Sequence, residues 1–171
     1  MYLGLGSNLG NPRARLLEAL ERVARLAPVL RVSSFYRTDP VGHLEQPDFH
    51  NAVALLRVTS TPEDLLDRLR EIESEMGRVP RFRDGPREID LDILDFGGVV
   101  RSRPDPVLPH PRLTERRFVL APLAEIAPDW RHPVTGRTAA DMLSDLPEKP
   151  GVTRVWNDES FEEPDRKPED S

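Results

Sequence analysis

Apolar residues along the chain recur at two periods, and the change from one to the other divides it into short strands and amphipathic helices. Residues 2–5 form a brief apolar run that reads as a strand, and Gly6-Ser7-Asn8-Leu9-Gly10 after it reads as a turn. Asn11-Pro12 offers a helix N-cap followed by proline at the first helical position. Leu16, Leu20, Val23 and Ala27 then repeat at helical spacing until Pro28. Residues 29–36, rich in β-branched and aromatic side chains, predict a second strand. Residues 49–58 predict a third, across a proline- and glycine-bearing loop over 38–47. Thr61 and Asp64 are placed as a capping box for a second helix. Its stripe is Leu65, Leu69, Ile72 and Met76, and Gly77 closes it.

Residues 78–87 then form a loop with Pro80, Gly85 and Pro86, and 88–96 alternate as a fourth strand turned by Gly97-Gly98. Val99-Val100 reads as a short partner strand, and 104–111 as proline-rich extended chain. Residues 113–126 read as helix turns broken by Pro122, and 138–143 as a last short helix. No internal repeat is visible. The order β-α-β-β-α-β, with an irregular C-terminal part, is the split βαβ pattern of a ferredoxin-like α+β fold: an antiparallel sheet with its two helices packed on one face. That fold hosts enzymes, metal carriers and sensors alike, so activity has to be argued from particular residues.

Composition narrows the choices. A chain of 171 residues allows one domain with a real core. The absence of cysteine removes disulfides, thiolate metal sites and cysteine nucleophiles. No apolar run approaches the roughly 20 residues of a membrane span, and the N-terminus lacks a signal-peptide pattern, so a cytoplasmic protein without membrane association is expected. The net charge of -6 is unevenly spread. Residues 157–171 carry seven acids and two bases, which leaves the remainder close to neutral. A domain over 1–156 and an acidic, disordered, solvating tail over 157–171 are therefore expected. Lys149 and Lys167 are the only lysines, so an anion site in the body must be built from arginines and backbone N–H groups.

Gly4-Leu5-Gly6-Ser7-Asn8-Leu9-Gly10 fails as a dinucleotide loop, because Leu9 stands where a glycine is required. No phosphate-binding lysine loop exists, since both lysines precede proline. A strand-to-helix turn accounts for the segment. The segment from Arg87 to Ile93 is more informative. Alternation puts Ile89, Leu91 and Ile93 on one face and Asp90 and Asp92 on the other, with Cα atoms about 7 Å apart. Two such carboxylates repel unless a cation compensates, and Mg²⁺ favours one or two carboxylates plus phosphate oxygens. Alone, the pair is equally a solvated strand face. Arg78, Arg81, Arg83 and Arg87 upstream, and His110, Arg112, Arg116 and Arg117 downstream, turn the reading toward a metal-bound polyphosphate. Nucleic-acid binding is the weaker account, because the body is neutral and poor in aromatics. Asn51 shares a strand face with Phe49 and Val53, and its amide offers the donor–acceptor pair that a heterocycle edge needs. Phe118 is a candidate to stack on that ring, although Phe49 and Phe118 are individually ordinary core residues.

Four ordered blocks together resemble the hydroxymethyl-dihydropterin pyrophosphokinase family of folate biosynthesis. They are the glycine segment at 4–10, the segments 33–38 and 46–51, the segment 85–93, and Pro109-His110 with 116–123. The resemblance runs from Tyr2 to about Leu143. It implies transfer of the pyrophosphoryl group of ATP to the pterin hydroxymethyl oxygen, with AMP leaving. It implies Asp90, Asp92, Arg78 and Arg87 as catalytic residues, with two Mg²⁺ ions held by Asp90 and Asp92. ATP would meet Arg70, Glu73, Arg78, Arg87, Ile93, His110 and Arg116. The pterin would meet Thr38, Val41, Gly42, Phe49, Asn51 and Phe118. A monomer acting on small molecules, with neither nucleic acid nor membrane as partner, is the implied form. Phe49 stands where the family usually has tyrosine. The loop over 78–87 is about one residue shorter than common versions, with Asp84 where a tryptophan is often found and Phe82 as its candidate replacement.

Overall fold

Capping decides where the helices start, as the sequence predicts. In the computed structural model, which describes residues 1–40, 45–82 and 84–156, the Asn11 side chain accepts from the Ala14 N–H at 3.1 Å and Thr61 Oγ accepts from the Asp64 N–H at 3.2 Å. Expectations placed on Val41, Gly42, Arg83 and the tail from residue 157 lie outside the described residues. The elements are β1 (Tyr2–Ser7), α1 (Pro12–Ala24), β2 (Val29–Val32), β3 (Phe35–Thr38), β4 (Phe49–Leu56), α2 (Pro62–Glu75) and β5 (Asp90–Asp95). A 3₁₀ turn (Leu113–Glu115), α3 (Arg117–Ile126), α4 (Ala139–Asp145) and β6 (Val152–Trp156) follow.

The fold is α+β. All strand pairs are antiparallel, in the order β5-β1-β4-β3-β6, with β2 also paired to β4. Strand alternation sorts the apolar residues to two faces. Leu3, Leu5, Ala54, Leu91 and Ile93 join Leu16 and Leu20 of α1 and Leu65 and Leu69 of α2 in one core. Val53 and Leu94 join Leu120 and Leu123 of α3 and Met142 of α4 in a second. The sheet is thus covered on both sides, where the sequence reading places helices on one.

Four further expectations are corrected. The strand expected over 29–36 divides at Ser33-Ser34. Ser33 Oγ donates to the Ser34 carbonyl at 2.7 Å and accepts from the Val53 N–H at 3.0 Å, while the Ser34 N–H goes to Glu125 at 3.1 Å. Ser33 keeps one backbone bond, from its N–H to the Val53 carbonyl at 2.9 Å, and side-chain bonds replace the rest of the ladder there. Val99-Val100 forms no strand; beside it Arg101 and Leu108 make one isolated bridge. Pro122 does not break α3, because it is buried among Leu120 and Leu123 and packing there outweighs the missing N–H. β6 lies in the part read as irregular and pairs with β3, so the observed strand and helix order is longer than βαββαβ.

Candidate active site

β1 runs through Ser7 rather than turning at Gly6, and this builds the floor of a pocket. Register sets Gly4 beside Val53 and Asp92, and Gly6 beside Asn51 and Asp90. These residues share the α3 face of the sheet. Two glycines in place of side chains leave an open floor beneath Phe118 on α3. A Cβ at Gly6 would stand 2.9 Å from Asn51 Oδ1, and one at Gly4 would stand 3.3 Å from a Leu94 methyl carbon. The sequence reading of this segment as a turn missed that role. Its signal was glycine at alternate positions of a strand, which puts both on one face.

One end of the pocket is charged. Arg87 and Arg78 both pair with Asp90, Arg78 at 2.9 Å, and Arg78 also pairs with Glu73. Glu73 is buried, and it accepts the Leu91 N–H at 2.7 Å, which anchors α2 to β5. Asp92 faces His110 Nε2 at 3.9 Å and Arg116 at 3.7 Å. Burial, then the charge of Asp90, pushes the Asp92 carboxyl well above the usual carboxylate range. Burial also raises Glu73, helped by Asp90 and opposed by its bonds to Leu91 and Arg78. Burial, then the nearby Arg116 guanidinium, lowers His110 to about 4. His110 is therefore neutral at pH 7. Its Nδ1 accepts the Arg112 N–H at 3.2 Å, which puts the remaining proton on Nε2, toward Asp92.

The other end is aromatic and amide-lined. Asn51 Nδ2 donates to Thr38 Oγ at 3.0 Å, so its carboxamide is oriented before any ligand arrives. Phe49, Asn51, Thr38 and Phe118 line the same pocket as Asp90 and Asp92. The Arg116 guanidinium lies 5.5 Å from the Phe118 ring centre, which joins the two ends.

The structure therefore brings together Asp90, Asp92, Arg78, Arg87, Glu73, His110 and Arg116 with Thr38, Phe49, Asn51 and Phe118. Two residues of the sequence reading fall elsewhere. The Ile93 side chain is buried in the α1–α2 core on the opposite sheet face, which leaves only its backbone for a ligand. Arg70 is exposed on α2 at 3.9 Å from Asp67 and 4.0 Å from Asp105, and it does not line the pocket. Asp39 and Asp84 line the pocket without a ligand role read from sequence, and Arg112, named there only within an arginine cluster, lines it with them. Only the fold brings their separate loops to one mouth.

Comparison with known proteins agrees with this geometry. Residues 2–128 match the family model for 7,8-dihydro-6-hydroxymethylpterin-pyrophosphokinase (HPPK). A 2-amino-4-hydroxy-6-hydroxymethyldihydropteridine pyrophosphokinase of Pseudomonas aeruginosa is 45% identical over 157 residues, covering 91% of this chain and 96% of that protein. The enzyme of the same name from Bacillus subtilis is 38% identical over 162 residues, covering 93% and 97%. Folic acid synthesis protein fol1 of Pneumocystis carinii is 39% identical over 166 residues, 95% of this chain but 22% of that protein. Among solved structures, Plasmodium falciparum HPPK-DHPS with pteroate superposes with a TM-score of 0.67 at 16% identity, covering 84% of this chain and 41% of that one, a likeness of fold. With the family model spanning most of its length and full-length relatives at these identities, the chain belongs to the 7,8-dihydro-6-hydroxymethylpterin-pyrophosphokinase family.

Proposed function

We propose that this protein transfers the pyrophosphoryl group of ATP to the hydroxymethyl oxygen of 6-hydroxymethyl-7,8-dihydropterin and releases AMP. The observation that carries this reading is one pocket with a paired-carboxylate, arginine-rich end and an amide-and-aromatic end, both standing on a glycine floor. The new bond joins the pterin oxygen to the β-phosphorus. The bond that breaks lies between the β-phosphorus and the oxygen bridging to the α-phosphorus, and that oxygen leaves with AMP. The hydroxyl proton passes to solvent water as the oxygen attacks.

The donor set suits magnesium. Asp90 and Asp92 offer hard oxygen ligands from one strand face. Among the described residues no group of three or more His, Asp and Glu forms a metal cage, so phosphate and water oxygens would complete the shell, as Mg²⁺ prefers. We assign two ions to this pair; when bound, they would neutralise the polyphosphate and lower the barrier to its transfer. Arg78 and Arg87 then serve as catalytic donors to phosphate oxygens, with Glu73, neutral His110 and Arg116 completing the ATP side. Phe49 and Phe118 sandwich the pterin and Asn51 reads its amide edge. We take residues 1–156 as the pyrophosphokinase domain and read β1 to β5, with β2 and β3 as one interrupted strand, as a ferredoxin-like unit. We also infer a cytoplasmic monomer.

The test is product analysis. AMP should form only with the pterin, ATP and Mg²⁺ together, and label from the β-phosphate of ATP should appear on the pterin. Asp90→Ala and Asp92→Ala should each lose several kcal/mol of transition-state stabilisation, on the order of 100-fold or more in kcat. Unchanged turnover in either variant rules out the metal-carboxylate mechanism, and label that never reaches the pterin rules out the reaction. Pterin binding by calorimetry with no AMP would leave a non-catalytic binding protein.

A further inference from the structure

Arg112 lies on the connection between β5 and the 3₁₀ turn, and it lines the pocket. Its guanidinium meets a carboxylate on each of two sides. On the outer side, Nε lies 3.7 Å from Glu115, whose side chain is 67% exposed and lines no part of the pocket. On the inner side, Nη1 faces Asp84 Oδ1 at 3.6 Å. Asp84 lines the pocket from the loop between α2 and β5, so the pair runs from one loop to another across the mouth. The Asp84 charge also reaches Arg116, after those of Asp92 and Asp90.

Asp84 differs from the two carboxylates on the strand. Asp90 and Asp92 share a face of β5 and are assigned to metal ions, which would offset their charge. Asp84 has no place in that pair. Its backbone is left-handed, with φ of 57°, and among the described residues it is the one non-glycine residue with a positive φ. Glycine or asparagine would meet that requirement at no greater cost, so the backbone does not call for a carboxylate. What aspartate adds is a negative charge against a guanidinium, inside a pocket read as taking a polyphosphate.

We propose that Asp84 is a resident counter-ion that competes with a phosphate group for Arg112, so that Arg112 is a further polyphosphate contact and Asp84 limits how tightly the site holds its anion. This rests on the function proposed above. A phosphate oxygen offers Arg112 the same charge-assisted bond that a carboxylate offers. To take it, the phosphate must displace Asp84 or lie beside it against like-charge repulsion. Asp84 therefore lowers anion affinity, whereas loss of a residue that only supported the loop would loosen the site. The two side chains are 34% and 32% exposed, so solvent screens the competition and keeps it modest.

The experiment measures dissociation constants in the full chain for two ligands. One is the Mg²⁺ complex of an ATP analogue with a methylene bridge between the α- and β-phosphates, and the other is the hydroxymethyl-dihydropterin. The chains are wild type, Asp84→Asn, Arg112→Gln and Glu115→Gln. Asp84→Asn keeps the size and suits the left-handed backbone, and it should bind the analogue about two- to fivefold tighter at low salt. That gain should vanish near about 1 M salt. Arg112→Gln should bind the analogue about fivefold more weakly. Glu115→Gln makes the same charge change beside the same guanidinium but outside the pocket, and it should bind the analogue like wild type. Affinity for the uncharged pterin should stay within about twofold throughout. Unchanged or weaker analogue binding in Asp84→Asn overturns the proposal, as does an equal gain in Glu115→Gln or a gain shared by the pterin. If Asp84→Asn fails to fold, Arg112→Gln decides: undiminished analogue affinity there overturns it. A wild-type chain that binds both ligands without making AMP from ATP would sink the reaction and still leave this comparison decisive for Asp84.

Discussion

Gly6 shows how much of the site rests on an atom left out. Asn51 is 7% exposed and donates to Thr38 Oγ, so its carboxamide has little room to retreat. A methyl group on residue 6 would meet Asn51 Oδ1 at 2.9 Å, closer than side chains tolerate. Gly6→Ala should turn the amide away from the pterin edge and weaken pterin binding by about 1–3 kcal/mol, the usual cost of overpacking. ATP-analogue binding should change far less. Gly4→Ala makes the control, because its new methyl meets only the flexible end of Leu94 at 3.3 Å. Calorimetry with each ligand checks this, and equal pterin losses in the two variants would contradict it. Asp90 and Asp92 were legible from the chain because a period of two announces a shared face. The glycines opposite them were not, because glycine at a strand end looks the same as glycine in a turn. The bonds of buried Asn8 to Gln46, Pro47 and Arg87 were equally illegible, because these partners lie 38 to 79 residues away.

The loop between α2 and β5 divides its arginines by direction. Arg78 and Arg87 turn inward to Asp90, whereas Arg81 turns outward and grips Glu88 through two bonds at 2.7 and 2.8 Å. The second pair braces the loop from the solvent side. The Arg81 guanidinium beside it holds the Glu88 carboxyl at about 2, below its ordinary value of 4.5. A carboxyl depressed in the folded state contributes stability that is fully present above its unfolded pKa and disappears as pH falls toward the folded one. The brace should therefore be complete above about pH 5 and fade between about 4.5 and 2. Its size is limited by solvent screening to under about 1 kcal/mol. Urea titrations of wild type and Glu88→Gln should differ by that small amount at pH 7 and converge near pH 2, with a narrower gap in high salt. A gap that widens on acidification would contradict the brace. Elements were otherwise legible to the degree that their signals are local. α1 and α2 follow from caps and stripes, both readable within one helix. The break between β2 and β3 does not, because it depends on bonds from Ser33 to Val53 and from Ser34 to Glu125, twenty and ninety-one residues along the chain.

For the molecule as a whole, the sheet separates a filled core from an open pocket. The α1–α2 core fills one face, while α3 covers only part of the other and leaves the rest as the pocket. That division makes the far edge of the sheet consequential, although the family match ends at residue 128. β6 closes the sheet against β3, and Trp156 stacks on the buried Phe35 with ring centres 5.0 Å apart. Arg13 of α1 lies 5.6 Å from the same indole ring centre, so the strand also clasps the first helix. Gly151 lends its carbonyl to the Asp39 N–H at 3.2 Å, just past Thr38 at the aromatic end of the pocket. Ending the chain after Trp156 keeps every described strand of this sheet, whereas ending it after Gly151 strips the strand from β3 and uncovers Phe35. The first chain should match the full protein in denaturant midpoint and turnover. The second should lose on the order of 3–5 kcal/mol, the scale of deleting a buried aromatic side chain. Its pterin affinity should fall more than its ATP affinity, because β3 carries Thr38 and not the carboxylates. Equal stability of the two shortened chains would mean that β6 is an appendage, and that the five-stranded remainder holds the pocket alone.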